Sequence, residues 1–388
     1  MATVAARVRD RIEHFHAERL NGARGTRPFL HGRRPTADDV VLTGNDYLAL
    51  ADDPRIAGAV AAAFSGVRSP QQCVDQGTLG DRLAGYTHAG AGIVCQSGWD
   101  ANLGLLQAIA DPQTPVYIDE KAHMSLRQGA VVAAAPIHLF RHHEPDHLRV
   151  QIGEHGPGII AADAICSTSG SHSPLTRLCE VSEESGSVLV VDESHSLGID
   201  GPGGAGTVVA LGLVEQVAFR TASLAKAFAG RAGFIAVHDP DFVDYFRSAS
   251  YPAVFSSALR SPDLAGLAAT LDVVRTADHR RNRLHEISTA VRKALAALGF
   301  DLAGSDSHIV SIPTGPGTHS LQVRDILERH GVLGAPFCAP ATPPDRSLIR
   351  FSLRATLTDQ QIQRILLACS EIRDRLGTTP PAGTPRTV

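Results

Sequence analysis

The feature of this sequence that most constrains its fold is a regular alternation of short apolar runs with segments of helical spacing. The apolar runs are 92–95, 116–119, 158–162, 188–192, 217–221 and 233–237. Most of them end in a polar residue, and helical patterns such as 102–110, 175–185 and 240–248 lie between them. This order predicts an α/β fold, a mostly parallel central sheet covered by helices on both faces. Ligands of such sheets bind beyond the carboxyl ends of the strands, so functional residues are expected just after each run.

The C-terminal third of the chain departs from this alternation. Helical spacing over 259–298 is followed by strand, helix, strand and helix patterns at 308–312, 321–330, 348–352 and 359–375. A chain of 388 residues exceeds what one hydrophobic core usually supports, so we expect two lobes. The expected division is an N-terminal helix and arm (1–44), a large domain (45–270), a smaller C-terminal α+β domain (271–376) and a disordered Pro/Thr/Gly-rich tail (377–388).

The charge and hydropathy of the chain exclude several classes of partner. Its 36 basic and 40 acidic residues give a net charge of -4 with both signs interspersed, which offers no basic field to a nucleic acid. Charged residues interrupt 1–20, which therefore do not form a signal peptide, and no later segment approaches the roughly 20 apolar residues of a membrane span. The six cysteines include no CxxC pair, which argues against a zinc knuckle. We expect a cytoplasmic protein with neither a nucleic acid nor a membrane as its partner.

Lysine is scarce in this chain, which makes each one informative. Among the 36 basic residues only Lys121, Lys226 and Lys293 are lysines. Lys226 follows the run 217–221 and has alanine on either side of it. A lysine after a strand is usually a solvated loop residue, but apolar surroundings lower its pKa, and a neutral amine is the form that makes a Schiff base with an aldehyde.

Two further features complete the parts of a cofactor site. Asp192 ends the apolar run 188–192; on that segment alone it could equally cap the next helix. Together with Lys226 it matches the needs of pyridoxal 5′-phosphate (PLP), whose ring nitrogen must stay protonated beside a carboxylate. The small residues of Ser97–Asn102 open a helix whose N-terminal amides could hold the phosphate, and His123 could stack on the ring. The sequence therefore predicts a PLP site.

At this point the chain resembles a known family, the α-oxoamine synthases, a branch of the fold-type I PLP-dependent transferases. The resemblance runs from about Asn45 to about Ser370 and is nearest to the synthases that make long-chain α-aminoketone autoinducers for quorum sensing. The phrases that carry it are QSGWDAN (96–102), YIDEKAHMSL (117–126), HGPGII (155–160), DESHSLG (192–198), TASLAKAFAGRAG (221–233), SYPAVFSS (250–257) and FCAPAT (337–342).

The resemblance assigns roles around the cofactor ring. It implies that Lys226 carries PLP as a Schiff base and that His123 stacks on the pyridine. Asp192 would pair with the ring nitrogen, while His195 and Ser167 would reach the phenolic oxygen.

The resemblance also implies how the phosphate is held. Gly98 and Trp99 match the phosphate-binding turn, and Ser223 matches the hydroxyl residue three positions before the lysine. Ser257 matches a phosphate contact made from the neighbouring subunit. A site shared in this way makes the enzyme an obligate homodimer.

Substrate contacts and the reaction follow from the same likeness. Asn45 and Arg350 correspond to residues that orient the amino acid, Arg350 through its carboxylate. The implied reaction is a decarboxylating condensation of an amino acid with an acyl-CoA, with Lys226 as the general base. The subgroup implies a medium or long acyl chain and either 2-aminobutyrate or S-adenosylmethionine. The segment Ser69–Leu83 departs from the family and is short, which leaves the acyl-chain preference open.

Other functions stay open at this stage. The chain could be an 8-amino-7-oxononanoate synthase-like or 2-amino-3-ketobutyrate CoA ligase-like enzyme, or an aminotransferase or lyase of the same fold. A non-catalytic scaffold subunit is disfavoured because Lys226 is present. A metallohydrolase would use a histidine group containing two i, i+4 gaps, but Pro145 interrupts that helix, so we expect no metal site. The histidines concerned are His138, His142, His143 and His147.

Overall fold

The structure is a computed structural model that describes residues 3–20, 32–65, 74–339, 341–343 and 345–378. Residues 21–31 of the expected arm, the first part of the Ser69–Leu83 segment and the expected tail from 379 onward lie outside the described residues. Within the described part of the chain, no helix is long and apolar enough to cross a membrane.

The helices and strands follow one another in the predicted alternation. In chain order they are α1 (Val4–Leu20), β1 (Val40–Val41), α2 (Pro54–Phe64), α3 (Gln76–Tyr86), β2 (Ala91–Cys95), α4 (Gly98–Ile109), β3 (Val116–Asp119), α5 (Met124–Val132), β4 (Ile137–Phe140), α6 (Pro145–His155), β5 (Ile159–Asp163), α7 (Leu175–Ser185), β6 (Val188–Asp192), α8 (Thr207–Ala210), β7 (Phe219–Ser223), β8 (Gly233–Val237), α9 (Phe242–Ala249), α10 (Tyr251–Phe255), α11 (Ser261–Arg275), α12 (Asp278–Ala297), β9 (Ile309–Gly315), α13 (Gly317–Arg329), β10 (Val332–Leu333), β11 (Ala335–Phe337), β12 (Ser347–Ser352) and α14 (Asp359–Leu376).

The central sheet has seven strands in the order β2-β8-β7-β6-β5-β3-β4. Strands β3 to β7 pair in parallel with their neighbours, and β8 alone runs antiparallel, between β2 and β7. The fold class expected from the sequence, a mostly parallel sheet covered by helices, is confirmed.

Both faces of this sheet are buried under helices, as the apolar runs require. On one face, Val190 of β6 packs in a cluster that includes Leu105 of α4. On the other face, Leu189 and Val191 pack in a cluster that includes Leu178 of α7. Burying each such side chain contributes roughly 1.5–3 kcal/mol, so a strand apolar on both faces is stable only in the middle of such a sandwich.

The C-terminal part of the chain forms a separate, antiparallel sheet of three strands, β11-β12-β9. Beside it, β1 pairs in parallel with β10, with Val40 opposite Val332. The N-terminal segment is therefore tied to the last part of the chain. Helix α11 continues through the boundary expected at 270, and that division stays a prediction.

Candidate active site

A cavity lies at the carboxyl ends of the central strands. Most of the residues predicted to bind the cofactor line it, including Lys226 after β7 and Asp192 at the end of β6. The full lining is Gly98, Trp99, Asn102, His123, Asp163, Asp192, Ser194, His195, Ser223 and Lys226.

Lys226 lies in a tight loop that directs it toward this cavity. The N–H of Ala229 donates to the carbonyl of Lys226 at 2.8 Å, and the N–H of Gly230 donates to the carbonyl of Leu224 at 3.0 Å. Ala229 has φ of 47°, in the left-handed region, which closes the turn. Burial and then the charge of Arg350 lower the pKa of the Lys226 amine, although Asp192 opposes them. The loop thus holds an amine that loses its proton more readily than a surface lysine.

Asp192 is a buried carboxylate fixed by two donors. Its Oδ2 accepts a hydrogen bond from Nδ2 of Asn102 at 2.6 Å, and its Oδ1 accepts from the N–H of Ser194 at 2.8 Å. Asn102 is itself held, because its Nδ2 also donates to Ser125 and its Oδ1 accepts from the hydroxyl of Thr221. This network orients a negative charge inside the cavity, where charge-assisted hydrogen bonds are strong.

A second carboxyl group, Asp163, lies beside the first and was not predicted from the sequence. It ends β5 directly opposite Asp192. Its Oδ1 accepts from the N–H of His123 at 3.0 Å, but its Oδ2 is buried and has no hydrogen-bond partner among the described residues. Burial and then the charge of Asp192 raise the pKa of Asp163 well above its usual range. The pair therefore favours one charged and one neutral carboxyl group. Asp163 directly follows the run 158–162, so the expectation of functional residues just after each apolar run could have identified it.

His123 and Trp99 form one wall of the cavity. Nδ1 of His123 is 2.7 Å from Oγ of Ser125, which orients the imidazole ring at the start of α5. The indole of Trp99 meets that ring edge-on, with 6.0 Å between centroids. The cavity therefore has a flat ring on one side.

The N-terminus of α4 forms another wall. Its cap, Ser97, accepts the N–H groups of Asp100 and Ala101, and within the described residues the N–H groups of Gly98 and Trp99 have no acceptor. These free donors and the helix dipole favour an anion there. A Cβ added at Gly98 would lie 2.6 Å from Cβ of Ser223, so no other residue lets α4 approach β7 this closely.

A chain of polar contacts joins this cavity to the C-terminal sheet. The hydroxyl of Tyr47 lies 2.7 Å from Nδ1 of His195 and donates to Oδ1 of Asn45 at 3.2 Å. Nη2 of Arg350 donates to the same Oδ1 at 3.0 Å. Burial and then Lys226 lower the pKa of His195 well below its usual range, so the imidazole is neutral. Tyr47 was not singled out from the sequence, although it lies two residues after Asn45 in the same polar segment.

Two of the residues predicted to bind the cofactor lie outside the cavity. Ser167 approaches the site through its backbone, since its carbonyl accepts from Nη1 of Arg350 at 2.7 Å. Ser257 is exposed and lines a different cleft, beside Gln96 and Ala253. The side-chain role of Ser167 and the contact of Ser257 with a neighbouring subunit stay predictions.

The four histidines of the rejected metal site do not share a helix face. His138 belongs to β4 and stacks on His155, with 3.8 Å between ring centroids. His147 belongs to α6. His142 and His143 lie in the turn between them, where their ring centroids are 3.6 Å apart.

The cavity fits PLP by its own chemistry. It places an amine of lowered pKa for the aldehyde, a buried carboxylate for the ring nitrogen and free helix amides for the phosphate within one enclosure. Lys226, Asp192 and the turn at Gly98 and Trp99 would hold the group.

Comparison with known proteins agrees with this fit. The family described as aminotransferase class I and II matches residues 37–368. The chain is 40% identical over 373 residues to the CAI-1 autoinducer synthase of Vibrio campbellii, covering 94% of each chain. It is 31% identical to the 8-amino-7-oxononanoate synthase of Anaeromyxobacter dehalogenans, covering 92% of this chain and 95% of that protein.

Solved structures give the same result. A serine palmitoyltransferase from S. paucimobilis with a bound PLP–myriocin adduct superposes with a TM-score of 0.88 at 25% identity, covering 95% of this chain and 99% of that one. The resemblance found in the motifs and the cofactor inferred from them are confirmed. The chain belongs to the aminotransferase class I and II family and, within it, to the α-oxoamine synthases, which are PLP-dependent acyltransferases.

Proposed function

We propose that this enzyme condenses a medium- or long-chain acyl-CoA with 2-aminobutyrate or S-adenosylmethionine, releasing carbon dioxide and CoA. The product would be an α-aminoketone that serves as a quorum-sensing autoinducer or its precursor. The choice within the family is supported by the 40% identity to a CAI-1 autoinducer synthase, against 28–32% for the 8-amino-7-oxononanoate synthases compared with it.

The proposal of an amino-acid substrate rests on the surroundings of Arg350. This side chain is buried, and its Nε has no hydrogen-bond partner. Within the described residues it makes no ion pair; its Nη atoms bond only a carbonyl and the amide of Asn45, and its Cζ lies 4.7 Å from the ring centre of Phe337. A buried guanidinium without an anion is costly, and the carboxylate of an amino acid would neutralise it.

The protein's own groups can then handle the protons of the reaction. Bound PLP supplies an electron sink for negative charge at the α-carbon of the amino acid. Asp192, fixed by Asn102 and Ser194, keeps the proton on the pyridine nitrogen. Lys226, with its lowered pKa, takes and returns the proton at the α-carbon. Arg350, held by Asn45, orients the substrate so that this carbon faces the amine.

The enzyme acts as a homodimer in this proposal. Helix α10 exposes Tyr251, Val254 and Phe255, the last with 81% of its surface accessible, immediately before Ser257. Such a cluster of large apolar side chains is typical of a protein interface. A second copy covering it would bring Ser257 toward the partner's cofactor site.

The test is a matrix of acyl-CoA donors against glycine, alanine, serine, 2-aminobutyrate and S-adenosylmethionine, with thiol release and product mass both recorded. We expect the highest kcat/KM for a medium- or long-chain donor with one of the last two amino acids. Preference for pimeloyl-CoA with alanine, or for a short donor with glycine, would instead place the enzyme with other α-oxoamine synthases. Amino transfer to an oxo acid without thiol release would point to an aminotransferase.

The variant Arg350→Gln tests, in the same assay, whether Arg350 binds the amino-acid carboxylate. It removes the charge and leaves a shorter, neutral side chain that still carries an N–H donor. We expect KM for the amino acid to rise by about 100-fold, because a charged hydrogen bond contributes up to about 3 kcal/mol. KM for the acyl-CoA should change little, and an equal rise in both would contradict the assigned role.

A further inference from the structure

Outside the cofactor cavity, three potential metal ligands converge at the edge of the central sheet. Asp119 ends β3, and His142 and His143 follow β4, its parallel neighbour. Each offers one ligand atom, and these atoms all lie within 4.8 Å of one another. Nδ1 of His142 is 2.8 Å from Oδ1 and 3.0 Å from Oδ2 of Asp119. None of the three lines the Lys226 cavity.

A second layer of groups orients these ligands. Nε2 of His142 lies 3.2 Å from Oγ of Ser171, and Nε2 of His143 lies 3.3 Å from Oγ of Ser173. Asp119 also accepts the backbone N–H of His143 at 3.1 Å. Metal-binding histidines usually bond a polar group through the nitrogen that does not face the ion, and the two serines provide that arrangement.

The conformation of His143 supports the same interpretation. Its φ is 60°, in the left-handed region that a non-glycine residue adopts only at a cost. This conformation places the His143 ring beside that of His142, with 3.6 Å between the ring centroids.

We infer that Asp119, His142 and His143 form a binding site for a divalent transition-metal ion of the Zn²⁺ class. Two imidazoles with one carboxylate suit zinc, cobalt or nickel rather than magnesium or calcium, which prefer oxygen ligands. Three protein ligands leave one position of a tetrahedral shell for water. This assignment differs from the expectation of no metal site because the carboxylate comes from a neighbouring strand, which residue spacing alone does not reveal.

A bound ion would connect three segments, two of which also carry residues of the active site. Asp119 is the last residue of β3, and His123 lies in the loop that follows it. Ser171 lies four residues after Ser167 in the segment after β5. An ion at this position would fasten the ends of β3 and β4 to that segment. We therefore expect it to stabilise the fold without taking part in the chemistry at Lys226.

The experiment uses the holoenzyme, freed of metal by dialysis against a chelator and titrated with Zn²⁺ by calorimetry. We expect one saturable site per chain and a rise in Tm on binding. His143→Asn should weaken binding by at least about 100-fold, since even outer-shell partners cost 10–100-fold. Asparagine tolerates a positive φ better than histidine does, so this variant should fold.

Two further variants make the result unambiguous. His138→Asn removes a half-buried histidine that stacks on His155 and should leave the affinity unchanged. Ser171→Ala should weaken binding about tenfold through the orientation of His142. Absence of a saturable site in the native enzyme, or equal affinity in His143→Asn and His138→Asn, would show that the histidines merely pin the loop by hydrogen bonds.

Discussion

Replacing Gly98 with alanine tests the central geometric claim about the phosphate end of the site. The added Cβ would lie 2.6 Å from Cβ, 2.8 Å from Cα and 3.1 Å from the backbone nitrogen of Ser223. Ordinary carbon contacts are about 3.5–4.0 Å, so the start of α4 must move away from β7 by about 1 Å. Most of this contact is with backbone, which cannot rotate aside. Such overpacking costs roughly 1–3 kcal/mol of folding free energy.

The displacement should also weaken cofactor binding, because the free amides of Gly98 and Trp99 move with the helix. We expect the Kd for PLP to rise by about tenfold or more, since 1.4 kcal/mol corresponds to a factor of ten. Denaturant unfolding of the apoenzyme measures the first effect, and titration of the apoenzyme with PLP measures the second.

Gly58→Ala provides the matched control with the opposite expected sign. Gly58 lies within α2, and a Cβ there would meet nothing within 4 Å. Alanine is the better helix former by about 0.5–1 kcal/mol, so this variant should be slightly more stable with unchanged PLP affinity. If Gly98→Ala matched the native enzyme in stability and PLP affinity, or became slightly more stable with unchanged affinity as expected for Gly58→Ala, the close approach of α4 to Ser223 would not be what holds the phosphate.

Two other predictions follow from the cavity, and a third concerns Glu193, the buried acid next to Asp192 in the chain. Borohydride reduction of the holoenzyme should fix PLP to Lys226, and peptide mapping that finds the label on Lys121 or Lys293 would refute the assignment. Asp192→Asn should fold and bind PLP but lose about 100-fold or more in kcat, because a preorganised charge contributes roughly 3 kcal/mol; near-native turnover would mean that Asp192 is only a helix cap. Burial raises the pKa of Glu193 from 4.5 to about 7, so its contribution to stability is complete below about pH 4.5 and is lost as the pH rises through 7. Glu193→Gln should abolish this loss of folding stability, which amounts to at most about 3 kcal/mol. Measurement of Tm between pH 5 and 8 tests this, and an unchanged dependence of Tm on pH would show that another group causes the loss.

Much of the central sheet could be predicted from the sequence, because buried parallel strands appear as uninterrupted apolar runs. The run 188–192 matches β6 at both ends. The run 217–221 begins and ends two residues earlier than β7. Val217 is fully buried in the turn before the strand, and hydrophobicity alone does not distinguish a buried turn residue from a strand residue. Strand β4 was missed because it lies at the sheet edge, where Leu139 is exposed and His138 interrupts the apolar pattern.

The site was predictable where residues follow strands along the chain and less so where they meet across it. Lys226 and Asp192 were found from their positions after apolar runs. Asn45 and Arg350 are 305 residues apart, and only the family resemblance related them before the structure joined them. The position of Asp163 Oδ2 beside Asp192, without a hydrogen-bond partner among the described residues, depends on which strand β5 pairs with. That pairing is a property of the sheet and not of the local sequence.

The pairing of β1 with β10 has a consequence for synthesis of the chain on the ribosome. Val40 cannot pair with Val332 until residue 332 has emerged, and the Asn45–Arg350 bond forms later still. The central sheet, from β2 to β8, can be completed while translation continues, because none of its strands needs a partner beyond Val237. The proposed substrate carboxylate site is therefore assembled after the cofactor cavity. A nascent chain could bind cofactor before it could hold an amino acid, and it would remain inactive until Arg350 has emerged and folded.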